Sequence, residues 1–228
     1  MEEKPTEPAI NEKKSDSDRT LLIAAGVIIL MVAAIVAIRY IFPEKPKTID
    51  QIIDDTLNGH DTENNFLYNN FAFVKVGNTW VTRVQKGDKL YTVPLRFNPK
   101  QLEDVQIVGE LDKRFVPSNL YITFDPRGDV FTYVALAAGE LSINLAQALD
   151  VLPTAACAYN VTEACYDRPI VSCQDNDKAV IFLREANETM VILQGNCMVL
   201  QGEEMNLLKA VDRVLYIWYG IMPRSSAQ

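Results

Sequence analysis

Residues 71–97 read FAFVKVGNTWVTRVQKGDKLYTVPLRF. Aromatic and β-branched residues dominate, and two pairs, Gly77-Asn78 and Gly87-Asp88, break the run into three pieces. Such pairs supply the positive φ that two-residue hairpin turns require. The stretch therefore predicts an antiparallel meander with strands at 71–76, 79–85 and 89–97. Pro94 has no N–H to give a ladder, which places the third strand at an edge or a bulge. Trp80 on such a sheet belongs to the core.

Upstream, Thr48-x-x-Gln51 has the spacing of a capping box. Ile49, Ile52, Ile53 and Leu57 then fall on one helical face, and Gly59 can close the helix. Downstream, Leu120–Phe124 reads as a buried strand and Asp125-Pro126-Arg127-Gly128 as a turn. Asp129 is placed to cap a helix running to about Leu149. Val134, Ala138, Leu141, Leu145 and Leu149 make that helix apolar nearly all round, which places it centrally. Its polar stripe, Glu140, Asn144 and Gln147, reads as solvated. After a loop at 153–172 come three short strands, 179–184, 189–194 and 197–201, with Gly195-Asn196 as a turn. A final amphipathic helix carries Glu203 and Glu204 in its first turn and a core stripe of Leu207, Leu208, Val211, Val214, Leu215 and Trp218, ending at Gly220. The sum is α+β: a mostly antiparallel sheet packed by helices over residues 48–228, with sub-lobes at 48–116 and 117–228.

At the other end of the chain, Leu21–Ile38 is eighteen residues without a charge. As a helix it spans about 27 Å, near the hydrocarbon thickness of a bilayer. Arg39 can snorkel, extending the span through Tyr40 and Ile41 to Phe42, before Pro43 stops it. A cleaved signal peptide has a shorter apolar stretch and a basic leader. Here residues 1–20 carry four basic and six acidic side chains and little apolar mass. The expectation is a disordered tail at 1–20, a signal-anchor helix at 21–42 and a stiff charged linker, PEKPK, at 43–47. Lys/Arg counts flanking the span are equal, with Lys13, Lys14 and Arg19 before it and Arg39, Lys45 and Lys47 after it, so orientation must come from elsewhere.

The cysteines supply it. Cys157, Cys165, Cys173 and Cys197 all follow the span, an even number clustered together, as in disulfides of an oxidising compartment. Gaps of 8, 8 and 24 residues lack the C-x2-C knuckles of a structural zinc site. Four cysteines allow three connectivities, which sequence alone does not decide; Cys157–Cys165 closing the loop and Cys173–Cys197 tying neighbouring strands is the preferred one. The N-terminus is then cytoplasmic and the domain extracytoplasmic. Asn160 and Asn187 begin N-x-T sequons, a motif short enough to arise by chance.

Chemistry is sparse. Residues 48–228 hold 15 Lys/Arg against 23 Asp/Glu, a net of −8 that argues against nucleic-acid phosphate as a partner. The one histidine, His60, sits in a polar loop, so His-based metal and nucleophile chemistry has no basis. There is no nucleophile elbow, phosphate-binding Gly loop or C-x-x-C, and no cofactor or metal is expected. Asp125, Arg127, Asp129 and, three turns on, Glu140 form the densest reactive cluster. Paired carboxylates there would suit acid/base work on a glycan. The expected role is a non-enzymatic binding, structural or accessory module of the cell envelope, with the bilayer and an envelope protein as partners. The alternative is a membrane-tethered hydrolase of envelope polymers using Asp125, Asp129 and Glu140. A third option, an assembly subunit, rests on Ala33-x-x-x-Ala37 as a helix-packing face.

Overall fold

A computed structural model describes residues 16–41, 46–128 and 131–224. The chain divides into two units, Met1–Pro46 and Lys47–Gln228. The first contains helix α1, Asp16–Ile41. Its segment Thr20–Ala37 is long and apolar enough to cross a membrane, and none of it is buried against protein. Most of the tail at 1–20, the end of the expected span at Phe42, and most of the linker at 43–47 lie outside the described residues.

The second unit opens with α2, Ile49–Leu57, whose first turn is closed by the expected box. Thr48 Oγ1 accepts the Gln51 N–H at 3.3 Å and Gln51 Oε1 accepts the Thr48 N–H at 3.0 Å. The buried face is Ile53 and Thr56, while Ile49 and Leu57 are exposed. Thr56 displaces the leucine because its hydroxyl is satisfied on the inside, donating to the Ile52 carbonyl and accepting from Asn65 Nδ2, both at 2.7 Å.

Sheet A is a four-stranded antiparallel meander, β1 Asn65–Tyr68, β2 Phe71–Val76, β3 Thr79–Lys86 and β4 Lys89–Leu95, in that spatial order. Both turns read from the sequence are present, with Val76 opposite Thr79 and Lys86 opposite Lys89. A further hairpin, joining Tyr68 to Phe71, turns on Asn69 and Asn70 at φ 47° and 66°. Two consecutive positive φ values are the type I′ geometry, which asparagine tolerates. Strand β4 is the free edge, where Pro94 is tolerated.

Sheet B is six-stranded and mixed, in the order β5-β9-β10-β8-β6-β7. Its strands are β5 Gln106–Leu111, β6 Leu120–Phe124, β7 Thr154–Ala155, β8 Ala179–Glu185, β9 Met190–Gly195 and β10 Cys197–Gly202. Only β9–β10, joined at Gly195-Asn196, is antiparallel; the other four neighbouring pairs are parallel. The antiparallel expectation thus holds for sheet A and not for most of sheet B. Strand β8 pairs with β10 and β6 instead of continuing the hairpin into β9, because AVIFL is apolar on both faces and occupies an interior position. Strand β5 lies within 48–116 yet pairs with β9, so the two sheets do not divide at residue 116.

Helices α3, Phe131–Ala148, and α4, Asn206–Trp218, pack on each other and on sheet B, and one hydrophobic core runs from sheet A through them into sheet B. Phe73 of β2 meets Tyr216 of α4 edge-to-face at 5.6 Å, both fully buried. Burying one such aromatic contributes about 2–3 kcal/mol. The enclosed helix is α4, in which Asp212, Arg213 and Tyr216 are buried along with the apolar stripe. In α3 two members of the polar stripe turn inward, Asn144 being buried and the Glu140 side chain 10% exposed, while Gln147 is exposed as expected and Leu136 and Ile143 face solvent. The opposite face of sheet B is covered by the chain between β7 and β8, through Val171 and the disulfide Cys173–Cys197.

Candidate functional site

Strand β6 continues through α3 to β7 on one side, whereas β8 lies on its other side. Helix α3 crosses one face of sheet B, and the segment after β7 crosses the other, where its Val171 carbonyl accepts the Thr123 hydroxyl at 2.8 Å. The carboxyl ends of the adjacent parallel strands β6 and β8 lie between these two connections, the end of an α/β sheet at which ligand crevices form. A cavity of about 540 Å³ occupies that place. It is lined by Asp125 and Arg127 after β6, Phe131 and Val134 of α3, Tyr159, and Phe182–Glu185 of β8.

Its polar groups are held in place. Arg127 Nε and Nη2 fork onto the Asp125 carboxylate at 2.9 and 2.7 Å, and the Arg127 N–H donates to Asp125 Oδ1 at 3.0 Å. These bonds hold the Asp125 carboxyl below the usual carboxylate range and raise the guanidinium further. The guanidinium carbon lies 3.9 Å from the Tyr159 ring centroid, a cation–π contact that fixes its plane. Tyr159 is brought there by β-type bonds from the preceding residues, Ala156 N to Ile122 O at 2.8 Å and Ala158 N to Phe124 O at 2.9 Å. Opposite, Arg184 donates to Gln201 Oε1 and has no acidic partner among the described residues.

Glu140 is elsewhere. It lines a separate groove of about 320 Å³ between α3 and β4, with Arg96 and Asn144. Its Oε2 accepts Arg96 Nε at 3.0 Å and its Oε1 accepts the Arg96 N–H at 3.2 Å. Beneath it, the fully buried Asp212 accepts the Arg96 and Phe97 N–H groups through Oδ2 at 3.0 and 2.9 Å. Tyr216 Oη donates to the Phe97 carbonyl and Tyr219 Oη to Asn144, both at 2.7 Å. The two carboxyls are within hydrogen-bonding reach, and burial followed by the neighbouring Glu140 charge pushes Asp212 well above the carboxylate range. Burial also raises Glu140, against the pull of the proton on Asp212 and of Arg96. Asp212 Oδ1 has no other hydrogen-bond partner among the described residues, and a proton shared between the two carboxyls would satisfy it.

The expected carboxylate cluster therefore does not converge. Asp125 and Glu140 line different cavities, each committed to an arginine, and Asp129 lies outside the described residues. Asp212, Tyr159 and Arg184 escaped the sequence reading, being 72, 32 and 17 positions from Glu140, Arg127 and Gln201, the groups they meet. His60 is exposed, its Nδ1 3.2 Å from the Asp55 carbonyl. Among the described residues no group of three or more His, Cys, Asp or Glu is placed to hold a metal.

The cysteines pair as Cys157–Cys165 and Cys173–Cys197, with Cα atoms 5.8 and 5.2 Å apart. The second joins the loop before β8 to the central strand β10 instead of joining two strands. The sequon residues Asn160 and Asn187 are both exposed. No protein-family model matches the chain, and no curated protein or solved structure is similar to it.

Proposed function

We propose that the chain is a single-pass, membrane-anchored protein whose α+β domain works outside the cytoplasm as a binding or accessory module of the envelope. The observation that carries this reading is the coexistence of two disulfides in the domain with an unburied apolar helix ahead of it. Binding is favoured over hydrolysis because Asp125 is neutralised by Arg127 and Glu140 is held by Arg96 and Asp212 in another cavity. Acid/base cleavage of a glycan needs two carboxyls facing one bond, separated by about 5–10 Å of open site.

Protease treatment of intact cells, followed by non-reducing mass spectrometry, tests the placement. The domain should be cleaved from outside, and peptides linked through Cys157–Cys165 and Cys173–Cys197 should be recovered. Free thiols that a cytosolic alkylating reagent labels would sink the proposal. Glu140→Gln should leave the biological activity intact; loss of a turnover activity in it, with the fold retained, would favour the hydrolase.

A further inference from the structure

We infer that the crevice at the carboxyl ends of β6 and β8 is a binding site for a small oxyanion, a carboxylate or phosphate group on a compact polar molecule. The inference rests on the binding-module reading and gives it a ligand class. Position is the first argument, since the crevice lies at the carboxyl ends of two adjacent parallel strands, with α3 on one face of sheet B and the post-β7 segment on the other. Its volume, about 540 Å³, suits a molecule the size of a sugar acid.

Charge is the second argument. Asp125 lines the crevice, and its fork with Arg127 spends its negative charge. The other lining acid among the described residues, Glu185, is exposed, as is Arg184 beside it. Arg184, with an amide as its acceptor, is then the cation in the crevice without a carboxylate partner among the described residues. Rigidity is the third. Arg127 uses Nε and Nη2 on Asp125 and lays its plane on Tyr159, which presets the guanidinium and leaves Nη1 to donate. A guanidinium ordered before the ligand arrives loses little conformational freedom on binding. The remaining walls, Phe131, Val134 and Phe182, give the ligand body an apolar floor.

Calorimetric titration of the full chain in detergent, with glucuronate, inorganic phosphate and glucose as probes, tests this. At least one of the two oxyanions should saturate one site per chain, and neutral glucose should not. Glucuronate alone binding assigns a carboxylate ligand, phosphate alone a phosphate ester, and both a general oxyanion site. Arg184→Gln and Arg127→Lys should each weaken the oxyanion by about tenfold or more with the melting temperature held, while Glu185→Gln leaves it the same or tighter. Absence of oxyanion binding, or binding indifferent to both arginine variants, would overturn the site. The protease and thiol tests above would be untouched by that outcome, so the two readings fail separately.

Discussion

The Glu140–Asp212 pair is the residue-scale feature with the clearest thermodynamic signature. Both carboxyls are held above their unfolded values, so the folded chain binds more protons there than the unfolded one. Their contribution is complete below about pH 4 and is lost as pH rises through the folded values. The ion-paired Asp125, Asp112 and Asp175 are shifted the other way and stabilise above about pH 4. Stability should therefore climb from strong acid, peak, and then decline with rising pH, as chemical denaturation at a series of pH values would show. Asp212→Asn keeps an acceptor for the Arg96 and Phe97 N–H groups and a donor towards Glu140, so it should flatten the alkaline decline. An unchanged decline would exclude the shared proton. Glu140 was legible in the sequence as a reactive carboxyl, but its partner is 72 residues away on another helix, a pairing no local pattern encodes.

Among the elements, the pairing of sheet A was readable and, beyond the β9–β10 hairpin, that of sheet B was not, for a physical reason. Gly77-Asn78 and Gly87-Asp88 force their neighbours to be adjacent and antiparallel, so local turn chemistry determines pairing. Asn69-Asn70 carries a comparable signal and hides a fourth strand in what reads as a polar loop. Parallel pairs carry no such mark, since partners meet only through long crossovers. Strand β5 illustrates this. Gly109 sits at φ 80°, and a Cβ there would lie 2.1 Å from the Leu193 carbonyl oxygen of β9. Gly109→Ala should cost about 2 kcal/mol or more, through both strain and displacement of β5. Denaturant melts compared with wild type would show it; a cost under about 0.5 kcal/mol would mean the strand shifts freely. In α3 the apolar face at Val134, Leu141 and Leu145 is buried as read, but Glu140 and Asn144 turn inward as well, because that side of the helix meets the Arg96 N–H and guanidinium, which reward a carboxyl over a leucine.

At the scale of the whole domain, one hydrophobic core joins sheet A, both helices and sheet B. Unfolding of residues 47–228 should be a single transition, with Trp80 in sheet A and Trp218 in α4 reporting the same midpoint in single-tryptophan variants. Two separated midpoints would divide the core. Cys173–Cys197 pins the outer loop to the central strand of sheet B and closes a 24-residue separation. Replacing both cysteines with serine should cost about 2–4 kcal/mol, measurable by the same melts. The α+β class follows from patterning and turn chemistry, and the disulfide pairing is the preferred one of three that four cysteines allow, whereas the crevice is assembled from β6, β8, α3 and the post-β7 loop, and exists only once the sheet order is fixed.

Pro94 on the outermost strand of sheet A bears on crowding. Chains held side by side on one surface meet at concentrations far above those in solution, where an open strand invites a neighbour to zip onto it. A residue that offers no N–H to an incoming backbone leaves a gap in any such ladder. The imide ring thus interrupts that edge as a template for backbone pairing by a neighbouring chain.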